Sequence, residues 1–516
     1  MGERKRALIS VSDKTGLADF AKGLEKEGFE IISTGGTFKA LKEAGVKVKE
    51  VSDVTGFPEM LDGRVKTLHP FIHAGILALR SSKEHMQKLK EHKIVPIDLV
   101  CVNLYPFRET ISKKDVSIEH AIENIDIGGP TMIRAAAKNY QDVAVVVNPA
   151  QYGKILQELN EKKSISLETK MLLAKEAFEH TAFYDSMVSG FLREKFSCEK
   201  YPKQLSLGFE KMQDCRYGEN PHQSSAVYRE PIVEEPCISN AKQLQGKELS
   251  FNNFNDANGA IELCKEFEGT AVVIAKHANP CGVSTAKTVS EAFKEALECD
   301  PGSAFGGIIV LNRECDLATA EQITAFFNEI VVAPSYDRDS LEEFAKKPNL
   351  RVLQIEGLGK GFEAKGMDLK KIVGGLLVQD RDLKNVSEKD LKVISEKKPS
   401  KEQIASLLFA WRVCKHVKSN SVVLAQGTKT VGIGAGQMSR IDSLEIAVKK
   451  SSGKAKGAVL ASEAFFPFRD TIDAAVKAGI SAIIETGGSV RDPEVIKASN
   501  EHGIPLVFTG VRHFKH

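Results

Sequence analysis

From the amino terminus, short β-branched runs alternate with longer segments whose apolar residues recur at helical spacing. Ala7–Val11 reads as a strand and Leu17–Glu27 as a helix closed by Gly28, followed by a strand over Phe29–Ser33 and a helix over Phe38–Ala44 closed by Gly45. The rhythm continues through Ile97–Asn103, a helix near Pro130–Lys138, and Asp142–Val147. This βαβ order predicts a mainly parallel sheet flanked by helices. A helical stretch over Leu167–Lys195 follows. Cys198–Leu207 has no period and carries Lys200, Pro202 and Lys203, which makes it the expected linker.

The second part contains an echo at an offset of 150 residues. Ala271–Ala275 matches Ser421–Ala425, and Gly307–Val310 matches Gly457–Leu460, each pair expected to bracket a helix at equal spacing. The pattern is consistent with an internal duplication. Asn385–Glu402, rich in Lys, Glu and Asp, reads as a solvated connector between the halves. The expected division is therefore 1–197 and 198–516, the latter split near 385–402.

Composition narrows the class. The chain has 516 residues, 42% hydrophobic and 27% charged, the balance of a multidomain globular protein. Lys and Arg number 71 against 69 Asp and Glu, a net charge of +2, so no global field gathers nucleic acid and anion binding must be local. Apolar runs such as Ala271–Ala275 fall far short of the roughly 18 residues a membrane span needs. Met1–Arg6 lacks a signal-peptide core, and Arg6 stands where myristoylation needs Ser or Thr, so a cytoplasmic location is expected. Nine scattered cysteines, never in a Cys-x-x-Cys pair, fit reduced thiols better than disulfides or a zinc cluster.

Three glycine-containing turns attract attention: Ser33–Thr37, Asp126–Pro130 and Gly432–Gly436. Where a strand ends and a helix begins, free amides make an anion cradle; each could equally be a plain tight turn. The third superficially matches a dinucleotide fingerprint but lacks the following helix and ribose-binding acid, which leaves an oxidoreductase as a weak rival. Ser10–Lys14, Arg64–Pro70 and Asn103–Pro106 should converge with the first two turns beyond the strand ends. Lys66, Tyr105, Asp126 and Lys138 would then share one basic crevice, although each alone could be a capping or surface residue.

In the second part, Arg216–Gln223 concentrates polar and aromatic groups in a turn. Lys276–Gly282 follows an apolar strand and places an ammonium and an imidazole at its exit. A histidine there can move protons near neutral pH while the lysine supports negative charge, or the two can be a capping histidine and a surface lysine. Pro280-Cys281 begins the zinc-deaminase pattern, but Ser284 occupies the next ligand position, so no metal is expected.

With these segments in view, the chain resembles the bifunctional purine-biosynthesis family that combines AICAR transformylase with IMP cyclohydrolase. The resemblance covers essentially the whole length. It rests on Ser10–Lys14, Ser33–Thr37, Gly63–Pro70, Asn103–Pro106, Asp126–Gly129, Arg216–Gln223, Lys276–Gly282, Ser419–Ser421, Gly432–Arg440 and Phe465–Asp470. It implies an α/β protein: an N-terminal methylglyoxal-synthase-like parallel-sheet domain that closes formyl-AICAR to IMP, then a duplicated cytidine-deaminase-like α/β domain without zinc that formylates AICAR.

Carried over residue by residue, the resemblance makes Lys66, Tyr105, Asp126 and Lys138 the catalytic set of the cyclohydrolase. Ser12, Lys14, Thr34, Gly35, Gly36, Thr37, Arg64, Thr67, Asn103, Gly128 and Gly129 would hold its nucleotide. For formyl transfer it implies His277 as the base and Lys276 as the oxyanion or leaving-group support. Asn420, Arg440, Gly306 and Glu329 would contact the nucleotide, Arg216, Tyr217 and Arg512 the ribose phosphate, and Phe465, Phe466 and Pro467 the aromatic pocket. The implied partners are AICAR, formyl-AICAR, IMP and 10-formyltetrahydrofolate as co-substrate, in a homodimer with transformylase sites at the interface. The short segment between Arg440 and Phe465 departs from longer members and leaves their insertion-borne folate contacts without counterparts. A non-catalytic effector-binding module remains a rival for the amino-terminal crevice; it leaves Lys276-His277 unexplained.

Overall fold

The computed structural model describes residues 5–113, 115–196, 199–361 and 364–516. They form two compact units, one of residues up to Glu210 with Glu230–Ile232, the other of Lys211–Arg229 with Val233–His516. The expected boundary between 197 and 198 lies outside the described residues, as does the start of the chain, 1–4.

In the first unit, β1 (Arg6–Val11), β2 (Glu30–Ser33), β3 (Val48–Glu50), β4 (Leu99–Asn103) and β5 (Ala144–Val146) form one parallel sheet in the order β3-β2-β1-β4-β5. β1, β4 and β5 are buried on both faces and accordingly read as largely apolar runs, whereas β3 at the sheet edge is partly exposed. Helices end where glycine allows left-handed backbone: Gly28 has φ +86° and Gly45 φ +81°. The helix expected at Phe38–Ala44 begins earlier, at Gly35, because the Gly-Gly-Thr segment is its first turn. The 29-residue helix Leu167–Lys195 matches its expected bounds. Because the strand order reverses between β1 and β4, a crevice opens there beyond the strand ends.

The second unit opens with the hairpin of β6 (Glu210–Cys215) and β7 (Ser225–Arg229). Its main sheet has twelve strands. Six come from the first half: β8 (Lys242–Gln245), β9 (Ala271–Lys276), β10 (Asn279–Thr285), β11 (Ile308–Leu311), β12 (Ile330–Ala333) and β13 (Arg351–Gln354). A separate hairpin, β14 (Met367–Ile372) with β15 (Gly375–Asp380), lies between the halves in sequence. The second half supplies β16 (Lys392–Val393), β17 (Val422–Gln426), β18 (Lys429–Gly434), β19 (Val459–Ala461), β20 (Ala482–Glu485) and β21 (Leu506–Phe508). The order β16-β21-β20-β19-β17-β18-β10-β9-β11-β12-β13-β8 reads the same way outward from the β18/β10 seam, so the unit is an internal duplication. The helices Phe251–Cys264 and Lys401–Cys414 occupy equivalent places, and both open with a capping box, Ser250 with Asn253 and Ser400 with Gln403.

The expectation that echoed strands bracket only a helix needs correction. An extra antiparallel strand intervenes in each half, so β9 runs antiparallel to β11 and β17 to β19. These intervening strands were masked by Asn, Pro and Gly. Gly282 and Gly432 are there because a Cβ would lie 1.9 Å from the Ala296 carbonyl oxygen and 2.2 Å from that of Ala447. The Gly432–Gly436 segment is therefore not a strand-to-helix cradle. Gly432 and Gly434 lie within β18, where small size lets the helix Arg440–Lys450 pack closely.

One sheet face carries a core shared by both halves, built on the helices Phe251–Cys264 and Lys401–Cys414 with Trp411. Beside it, Glu266 accepts from Lys415 Nζ and His416 Nε2, each at 2.9 Å. Burial opposes the ionised carboxylate, but these contacts outweigh it and hold Glu266 at about 2. Burial lowers His416 while its bond to Glu266 acts against that, and His416 and Lys415 together hold the carboxylate down. A carboxylate depressed from 4.5 to about 2 contributes about 3 kcal/mol of stability, present above pH ~4.5 and lost as pH falls through about 2. Glu266→Gln is therefore expected to unfold at lower denaturant concentration at neutral pH, with its deficit narrowing toward about pH 2. Urea titrations of both proteins across that range measure the gap; a constant gap would remove Glu266 from the account.

All eight described cysteines are free, and all but Cys237 are buried. Burial pushes Cys281 up to about 12, and Ser284 donates its hydroxyl to Glu295 at 2.7 Å. Among the described residues no helix is long and apolar enough to cross a membrane.

Candidate active sites

The first unit's crevice is assembled from strand ends. Asn103, the last residue of β4, accepts at Oδ1 from the Ser12 and Asp13 amides at 2.7 and 2.9 Å, tying β4 to β1 across the reversal point. Thr37 performs the same task between helix and strand: its hydroxyl accepts from Val11 N and donates to Val11 O, both at 2.9 Å. The helix Gly35–Glu43 starts after Thr34, whose side chain does not cap it, so the first-turn amides of Gly35 and Gly36 remain for an anion. Lys66 lies over them. Its Nζ is 3.3 Å from where a Cβ on Gly35 would stand, and its Cε would clash at 2.5 Å with one on Gly63, so two glycines make the slot for this side chain. Lys66 also pairs with Glu59 at 3.1 Å. Lys14 and Arg64 are exposed, and Arg64 pairs with Glu123.

Asp126 is held from three sides. Its Oδ1 accepts the Gly129 amide at 2.8 Å, its Oδ2 accepts the Tyr105 amide at 3.3 Å, and its own amide donates to the Tyr184 hydroxyl at 2.8 Å. Burial raises its pKa, while the amides of Gly129 and Tyr105 act against that. A carboxyl whose pKa burial raises suits proton transfer. Gly128 and Gly129 follow the short helix Ile118–Glu123, not a strand as expected; a Cβ on Gly129 would stand 2.5 Å from Asp126 Oδ2, and one on Gly128 2.9 Å from the Thr67 hydroxyl. The Tyr105 ring is half exposed.

Lys138 is not brought to this crevice, contrary to expectation. The helix Gly128–Lys138 starts at the crevice and runs away from it, and eleven residues at about 1.5 Å each carry its last residue roughly 15 Å away. Lys138 instead borders a cavity of about 700 Å³ with Leu77, Arg134, Met171 and Phe178.

In the second unit the strand directions bring the named segments to one edge of the sheet. There β9, β18, β19, β20 and β21 end, and β10, β11, β12 and β17 begin. At that edge His277 and Ala278 form the two-residue link between β9 and β10, with φ +52° and +56°. The His277 amide donates to Asp256 Oδ2 at 3.2 Å, and its carbonyl accepts from Asn279 Nδ2 at 3.3 Å. Lys276 Nζ donates to the Phe305 carbonyl at 2.8 Å, beside Gly306, which turns at φ +71°. Glu329, at the start of β12, accepts from Arg351 at 2.6 Å.

Across the seam, Asn420 Nδ2 donates to the Gln437 and Met438 carbonyls, both at 3.0 Å, so the atom it can offer a ligand is Oδ1. Arg440 is buried and committed: it donates to Ser462 and to Glu463, each at 3.1 Å. The Phe466 ring is fully buried in the core and its amide donates to Glu485 at 3.0 Å, so Phe465 and Pro467 are the half-buried members of that segment. Burial raises Glu485 to about 8, which makes it a neutral acid at pH 7. Arg512 is exposed and stacks on Phe514 at 4.3 Å. Arg216 and Tyr217 stack on each other in the β6–β7 turn, whose Glu219 carbonyl accepts from Asn252 at 3.4 Å. Asn252 belongs to the helix Phe251–Cys264, which also carries Asp256.

Sequence reasoning missed Asp256, Glu463 and Glu485. None sits in a motif with a chemical signature; each acts on a backbone amide or a buried arginine brought close only by the fold.

Comparison with known proteins identifies the family. Residues 16–131 match the MGS-like domain, and residues 136–450 match the family described as AICARFT/IMPCHase bienzyme. A protein of Acetivibrio thermocellus named bifunctional purine biosynthesis protein PurH is 56% identical over 512 residues, 99% of this chain and 100% of its own length. Proteins of the same name from Persephonella marina and Bacillus subtilis are 54% and 52% identical, each over 99% of this chain. The chain belongs to the AICARFT/IMPCHase bienzyme family.

Proposed function

We propose that the chain performs the last two steps of IMP synthesis, formyl transfer from 10-formyltetrahydrofolate to AICAR and ring closure of formyl-AICAR to IMP. The observation that carries this reading is that each compact unit has its own candidate proton-transfer group at its strand or helix ends: Asp126, held by the Gly129 and Tyr105 amides, in one, and His277 next to Lys276 in the other. No step requires a metal.

In formyl transfer the AICAR amine attacks the formyl carbon of the folate. Its lone pair is shared with the ring and carboxamide, so attack needs a base to take the amine proton as the bond forms; His277 takes it. Lys276 stabilises the oxyanion and then the departing folate nitrogen, which receives a proton as tetrahydrofolate leaves. Asn420 orients the carboxamide through Oδ1. Arg216, Tyr217 and Arg512 hold the phosphate, Gly306 and Glu329 border the nucleotide, and Phe465 and Pro467 line the pocket. Arg440 and Phe466 act through Glu463 and Glu485, holding the surrounding loops.

In ring closure the carboxamide nitrogen attacks the formyl carbon, and water is lost. Lys66 supports the developing oxyanion, Asp126 exchanges the proton that lets oxygen leave as water, and Tyr105 donates from the rim. The amides of Gly35, Gly36 and Gly128, with Gly129 keeping the turn close and Ser12, Lys14, Thr34, Thr37, Arg64, Thr67 and Asn103 around them, receive the nucleotide. Lys138 acts outside this crevice.

The protein works in the cytoplasm as a homodimer. The transformylase site draws on both subunits. On dilution, formyl transfer is expected to fall with the dimer fraction while ring closure per chain stays constant; initial rates paired with sedimentation measure both. Full transfer by a monomer would contradict the shared site.

A further inference from the structure

The hairpin that carries His277 is conformationally expensive. Two consecutive non-glycine residues take the left-handed conformation, a turn type that normally selects Asn-Gly or Gly-Gly. The duplication supplies an internal control. At the equivalent link 150 residues on, between β17 and β18, Gly427 takes φ +60° and Thr428 is not left-handed. The half with the candidate base thus keeps a conformation that the other half relieves with glycine.

Two side chains hold it there. Asp256 Oδ2 accepts the His277 amide at 3.2 Å, and Asn279 Nδ2 donates to the His277 carbonyl at 3.3 Å, so both backbone groups of His277 are bound by side chains. Asn279 also accepts at Oδ1 from the Lys418 amide at 3.0 Å, two residues before Asn420. One residue therefore ties the hairpin of the first half to the Asn420 segment of the second. The second half lacks both groups: Ser406 stands where Asp256 would, donating to the Glu402 carbonyl of its own helix, and Lys429 stands where Asn279 would, pairing with Glu295.

We propose that Asp256 and Asn279 are positioning residues for formyl transfer, a two-sided clamp that fixes the His277 backbone and sets its distance from Asn420. Neither takes part in the chemistry itself. The imidazole must lie within hydrogen-bond reach of an amine that Asn420 helps to orient, and Asn279 bridges those two elements directly through its side chain. This inference rests on the assignment of formyl transfer to this edge of the sheet.

The test uses the full chain, whose ring-closure activity reports folding independently. Asp256→Ala is expected to lower kcat for formyl transfer by about 10- to 100-fold, the effect of misplacing a reacting group by about an ångström, with the KM for AICAR changed by less than about threefold. Asp256→Asn keeps an acceptor oxygen and should restore most of the rate. Asn279→Asp keeps the acceptor for Lys418 but loses the donor to His277, and should fall between wild type and Asn279→Ala. Ring closure of formyl-AICAR should be unchanged in all four. If Asp256→Ala and Asn279→Ala both keep kcat within about twofold, or lose ring closure in proportion, the clamp is wrong. Wild-type protein that cannot transfer a formyl group at all defeats the assignment itself, and the clamp with it; active wild type with indifferent variants defeats only the clamp.

Discussion

Replacing His277 is expected to lower formyl transfer by about 10²- to 10⁴-fold while leaving the closure of formyl-AICAR to IMP at its wild-type rate. The magnitude is that of removing a positioned general base, and the asymmetry follows from the separate compact units. The choice of substitution matters. His277→Ala removes the base but leaves alanine in left-handed backbone at φ +52°. His277→Asn removes the base and puts in a residue that tolerates that conformation. Both should lose transfer to a similar extent, since the loss is chemical. If asparagine restored the rate, His277 would be a turn residue and the proton would move elsewhere. Initial rates with AICAR and 10-formyltetrahydrofolate, set beside rates with formyl-AICAR, separate the two outcomes.

The complementary loss is expected at the first unit. Lys66→Ala and Asp126→Asn should each lower ring closure by about 10²-fold or more, with formyl transfer intact, so that formyl-AICAR accumulates from AICAR. Lys66 occupies the slot left by Gly35 and Gly63, where its ammonium overlies the open amides of the helix start. Asp126→Asn can retain an acceptor for the amides of Gly129 or Tyr105 but cannot carry the proton. Chromatography of the products from AICAR detects the accumulated intermediate. IMP formation at the wild-type rate by Asp126→Asn would leave the carboxylate a purely structural role.

The parallel sheet of the first unit was legible because its central strands are largely apolar and glycines close the helices between them. Gly28 and Gly45 each carry the left-handed backbone that the stop signal implies. The start of the helix Gly35–Glu43 was obscured, since Gly-Gly-Thr reads as a turn while its amides open the helix. In the second unit the echo exposed the duplication, but β10 and β18 were hidden by the proline and glycines that let helices pack against them. The candidate sites were legible as motifs at strand ends. What motifs cannot convey is direction along a helix and commitment to other partners. Lys138 shares a sequence segment with Gly128 yet lies a whole helix away, and Arg440 and Phe466 are spent on Glu463 and the core. Asp256 was invisible because it reaches His277 across 21 residues and binds only its backbone.

The most direct test of the two-site account is to supply the intact protein with AICAR and 10-formyltetrahydrofolate and follow IMP, alongside His277→Asn and Lys66→Ala. The account predicts IMP from the intact chain, no formylation by His277→Asn, formyl-AICAR accumulating with Lys66→Ala, and IMP restored when the two variants are mixed. A folded protein that binds AICAR without turnover, or one substitution that abolishes both steps, would contradict it.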